Sequence, residues 1–66
     1  MAVERLGPYL VVVNGDGLRH LIRIGAIQML SDGDLCRDTT VIVVAGRAIV
    51  VAEPFDQLAK MIGTRL

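Results

Sequence analysis

The chain has 66 residues, a formal net charge of zero, 53% hydrophobic content, one Cys, one His and no Trp. That length holds one domain and no second, and its lone Cys and His cannot supply an internal disulfide or a four-ligand zinc site. Zero net charge argues against a protein held to nucleic acid mainly by electrostatics, which is usually basic.

A chain this short buries only about 60% of the surface that its unfolded form exposes, so its stability is marginal. With disulfide and zinc set aside, oligomerisation is the remaining route to stability. The longest apolar runs, Leu10–Val13 and Val41–Ala45, fall short of the ~20 residues that a bilayer needs. No basic segment precedes an apolar core near the start, and a single free Cys suits a reducing compartment, so the chain reads as cytoplasmic.

In chain order, Tyr9–Val13 (YLVVV) is the first expected strand, since stiff β-branched side chains fit a pleated surface. Asn14-Gly15-Asp16-Gly17 follows as a reversal. Leu18–Leu30 reads two ways. Leu21–Ile24 and Ile27–Leu30 look like strand pieces kinked at Gly25-Ala26. Leu21, Ile22, Ala26, Met29 and Leu30 also suit one side of a helix, which Gly25 would weaken by about 1 kcal/mol relative to Ala. The two-strand reading is preferred. Ser31-Asp32-Gly33-Asp34 marks a loop. Thr39–Val44 and Arg47–Ala52 are further strands, reversed at Ala45-Gly46.

Phe55, Leu58, Ala59 and Ile62 fall at i, i+3, i+4 and i+7, one stripe of a helix. Pro54 suits its first turn, Asp56 and Lys60 complement its dipole, and Gly63 is a left-handed stop. Phe55 heads the stripe and is the expected anchor. The expected fold is α+β: one domain over residues 1–66, with a small antiparallel sheet of about four short strands and one C-terminal helix, assembled as an oligomer. Both faces of the 41–51 hairpin are apolar. The helix covers one, and a second copy is expected on the other, with Tyr9–Val13 as the alternative cover.

The motifs that carry chemistry are weak. A dinucleotide loop starting at Gly15 would need a glycine at position 20, which is His20. Asp32, Asp34 and Asp38 do not continue into a calcium loop, because Cys36, Arg37 and Val43 stand where ligand, glycine and glutamate are needed. Cys36 and His20 have no third group to order them as nucleophile and base, and no elbow surrounds Ser31. Neither an enzyme nor a cofactor is expected. The candidate partner contacts are Arg19, His20, Arg23 and Arg47. On a strand, Arg19 and Arg23 share a face and His20 points to the other.

The segment Asp38–Ile62 resembles the small flagellar FlbD-like proteins. Their core reads Asp-Thr, an apolar strand, a Gly-basic turn, a second apolar strand, a Glu and a short amphipathic helix ending in Ile. Asp38, Thr39, Gly46, Arg47, Val50, Val51, Glu53 and Ile62 fit that order without a gap, and Ile24 and Ile27 suit the short Ile-containing segment upstream. The family usually has Asn before the turn glycine, where this chain has Ala45. Its second strand is more basic, where this chain has Ala48 and Ala52. The resemblance implies a hairpin-plus-helix fold and a non-catalytic accessory protein of bacteria or phage, acting through contacts with itself and with a protein partner. The alternative is a nucleic-acid-binding oligomeric regulator that uses Arg19, Arg23 and Arg47.

Overall fold

The structure, a computed structural model, describes residues 3–63. Strands β1 (Val3–Leu6), β2 (Tyr9–Val13) and β3 (Arg19–Arg23) form one antiparallel sheet in that order. A 3-10 turn at Ile24–Ala26 leads into a second antiparallel sheet of β4 (Ile27–Asp32), β5 (Thr40–Val44) and β6 (Arg47–Val51), again in chain order. Helix α1 (Phe55–Ile62) ends the fold.

The fold is therefore α+β as expected, but the expected single sheet of about four strands is corrected to two sheets of three strands each. The additional strand is β1. Its sequence VERL has one β-branched residue and only Val3 is buried. It forms because the Gly7-Pro8 reversal folds it onto β2, setting Val3 opposite Val12. The 18–30 segment takes the strand reading. Gly25 lies in the 3-10 turn, which breaks what would otherwise be one strand and sends β4 into the second sheet. The expected strand ends at Thr39 and Ala52 lie just outside β5 and β6.

Alternation builds the core. Leu10 and Val12 of β2 are fully buried while Val11 and Val13 are half-buried. Val3, Leu10, Val12 and Ile22 from the first sheet meet Ile42 and Val51 from the second, and Leu58 seals the cluster from the helix. Thr40 is buried among them with its Oγ1 donating to the Glu53 carbonyl at 2.7 Å, which satisfies the hydroxyl. The helix contacts β1 and β4, one outer strand of each sheet, and so covers the gap on that side.

The helix stripe is as expected, but its anchor is not. Leu58 has no exposed surface, whereas Phe55 is half-buried at the mouth of an apolar depression beside Ile27, Met29 and Ile62. Pro54 precedes the first turn as an extended N-cap, and Gly63 ends the helix at φ 71° with its N–H on the Lys60 carbonyl at 3.0 Å. Arg5 completes that end: its Nη1 donates to the carbonyls of Met61 at 3.0 Å and Ile62 at 3.1 Å. A cation at the negative pole of the helix is the favourable placement.

Strand β2 lies on the same face of the 41–51 hairpin as the helix, among Ile42, Val51 and Leu58. It does not cover the opposite face. There Val41 and Val43 are half-buried and Val50 is 49% exposed.

Candidate interaction groove

The Asn14–Gly17 reversal positions the first side of the site. Asn14 Oδ1 accepts from the N–H groups of Asp16 at 2.8 Å and Leu18 at 3.0 Å, the local turn that Asx side chains make. With the oxygen so engaged, the amide nitrogen faces His20, and Nδ2 donates to Nε2 at 2.9 Å. The imidazole then carries its proton on Nδ1. His20 is thereby fixed on the inward face of β3, half-buried, opposite Val12.

The Ala45-Gly46 turn positions the other side. Ala45 sits at φ 53° and Gly46 at φ 74°, the pair of positive values of a type I′ hairpin. Gln28 supports the turn from β4. The ladder between β4 and β5 skips a register at Gln28, between Ile27 and Met29, and the freed side chain accepts the Gly46 N–H on Oε1 at 2.9 Å. Arg47 leaves this turn as the first residue of β6.

Strands β3 and β6 are the remaining outer strands of the two sheets, and a groove runs between them. One end opens between Arg23 and Arg47, with a cavity of about 230 Å³. The other, of about 310 Å³, runs past His20 and Ile49 to Asp16. A bridge between Asn14 and Val51 ties the two sheets there. The structure thus brings His20, Arg23 and Arg47 together around one groove. Arg19 lies apart from it on the outer face, beside Val11 and Leu21. By alternation along β3, Arg19 and Arg23 take the outer face and His20 the inner, as expected, but Arg23 stands at the groove's edge and so joins His20 there.

The remaining candidates occupy other places. Cys36 is exposed in the β4–β5 loop, next to a fully exposed Leu35. Asp34 serves that loop itself, accepting the Asp38 N–H at 3.1 Å and the Thr39 hydroxyl at 3.2 Å. Asp32 lies by Arg37 and Asp56 in a separate depression. Among the described residues no group of three or more His, Cys, Asp or Glu is placed to hold a metal ion. Nor is any helix among them long and apolar enough to cross a membrane.

Asn14 and Gln28 are the site residues that sequence reading missed. An Asn opening a Gly-rich turn is a legible signal for the first. Nothing local marks the second, because its role depends on a bulge that forms only when β4 pairs with β5. No protein-family model, no curated protein and no solved structure matches the chain.

Proposed function

We propose that this chain is a non-catalytic accessory protein of bacterial or phage origin that works through protein contacts as a homo-oligomer, in the manner of the FlbD-like flagellar proteins that Asp38–Ile62 resembles. The supporting observation is the pair of outer sheet faces. The first carries Leu6 at 50% and Leu21 at 63% exposure, and the second carries Met29 at 53% and Val50 at 49%. Apolar faces of this kind mark interaction surfaces or aggregation sites. A stable interface needs about 800 Å² from each partner, a modest share of the chain's 4609 Å² surface.

Light scattering at micromolar concentration tests this reading, with a mass of at least twice that of one chain expected. Val50→Asp places a carboxylate on an outer face, where water hydrates it in a lone chain but a partner would desolvate it. The variant should elute as a monomer with an unchanged circular dichroism spectrum. A wild-type monomer defeats the homo-oligomer reading.

A second reading, binding of nucleic acid, draws on the meeting of Arg23 and Arg47 at one groove end. It weighs less because the net charge is zero and counterion release needs cationic excess. Submicromolar, steeply salt-dependent binding of mixed-sequence DNA or RNA, lost in Arg19→Glu with Arg23→Glu, would put it first.

A further inference from the structure

Both sides of the groove are sheet edges, and the hairpin geometry says which backbone groups face it. The Asn14 N–H bonds the Leu18 carbonyl at 2.9 Å, and the Ile24 N–H bonds the Pro8 carbonyl at 2.9 Å. Bonded and non-bonded pairs alternate along an antiparallel ladder. His20 and Ile22, opposite Val12 and Leu10, therefore bond inward to β2. Arg19, Leu21 and Arg23 turn their N–H and C=O groups the other way, toward an edge that no strand of the sheet covers. On β6, the two-residue turn makes Val44 and Arg47 a bonded pair, so Ala48 likewise turns its backbone outward.

Resting on the interaction reading above, we propose that this groove takes an extended acidic segment of a partner protein, which adds as a strand along β3. Main-chain bonds to Arg19, Leu21 and Arg23 would hold it, as in other cases of strand addition. Side chains of the added strand alternate between faces. Carboxylates on its outer side meet Arg19 and Arg23 across the pair, and one on its inner side meets Arg47. The charge of the groove fits that occupant. Asp16 is the sole carboxylate among the lining residues, and it sits at the end tied by Asn14 and Val51.

A second copy of the chain fits the edge less well. Antiparallel pairing of two β3 strands about Leu21 sets Arg19 opposite Arg23, and like charges directly opposite are destabilising. Pairing β3 with the β6 edge of another copy brings Arg47, a further cation, rather than an acid.

The test uses the full chain and a labelled peptide of about six residues, with Glu at every second position and one further Glu among the intervening Val residues, long enough at ~3.3 Å per residue to cover the five residues of β3. A peptide with Lys in place of Glu is the control. The Glu peptide should bind saturably, with affinity that falls as salt rises. Binding should slow amide hydrogen exchange at Arg19, Leu21 and Arg23 and leave His20 and Ile22, already bonded to β2, unchanged. Arg23→Glu combined with Arg47→Glu should weaken binding at least about tenfold, ~1.4 kcal/mol, with circular dichroism unchanged. Absence of binding, equal binding of the Lys peptide, or binding without protection at those three amides overturns the proposal. So does slow exchange there before peptide is added, which would mean that a second copy already occupies the edge. A monomer by light scattering that binds the Glu peptide in this pattern supports the groove and defeats the homo-oligomer reading alone.

Discussion

Ala45 holds φ at 53° in the β5–β6 turn, a left-handed conformation that a Cβ disfavours. The cost for an ordinary residue is roughly 1–2 kcal/mol, whereas Asn and Gly are at home there. Ala45→Asn should therefore stabilise the chain by about 1 kcal/mol, raising the melting temperature by about 4–8 °C in a domain of this size. Thermal unfolding by circular dichroism checks it, and an unchanged or lowered midpoint would mean that the turn relaxes elsewhere. His20 shows the same dependence on a neighbour. Its face of the strand followed from alternation, but its partner did not. Only the engagement of Asn14 Oδ1 by two backbone N–H groups turns the amide nitrogen onto the ring.

At the scale of elements, the helix separates what a stripe reveals from what it conceals. The i, i+3, i+4, i+7 spacing fixed the buried side of α1, and Gly63 its end. Which stripe residue lies deepest depends on where β1 and β4 stand, and no periodicity carries that. Leu58 is the one over the core, while Phe55 borders an open apolar depression. Leu58→Ala should accordingly cost about 2–5 kcal/mol and Phe55→Ala distinctly less, since truncating a half-exposed ring removes less buried surface. Urea unfolding of both variants decides between this order and its reverse. Strand β1 was illegible for a related reason. Three of its four residues are exposed and none of these is β-branched, so the strand owes its existence to pairing with β2 rather than to its own composition. The β5–β6 hairpin, dense in Val and Ile, was legible almost to the residue.

For the whole molecule, the arrangement of two meanders in chain order was hidden in the sequence by one turn. Gly25-Ala26 reads as a kink, and only the sheet order shows that the turn at Ile24–Ala26 divides the strands into separate sheets. The same order bears on how fast the chain folds. Every ladder joins neighbours in the chain, so closing each hairpin costs little entropy, and local pairing of this kind favours early hairpin formation. Longer-range ties remain: the Asn14–Val51 bridge joins the two sheets, and the contacts of Arg5 with Met61 and Ile62 span 56 and 57 residues. The Arg5 contact joins the first strand to the end of the helix and should form late, after the rate-limiting barrier. Arg5→Met keeps the aliphatic stem and removes the two capping bonds, together with the local bond from Nε to the Gly7 carbonyl at 3.0 Å. It should leave the folding rate nearly unchanged and raise the unfolding rate about fivefold, the kinetic signature of a contact absent from the transition state. In stopped-flow measurements, a slowed folding arm would instead place β1 and the last turn of α1 together in the nucleus. If Arg5 acts as expected, the residence time of the folded state is set by a latch between β1 and the last turn of α1, while the speed of reaching it is set by the hairpins.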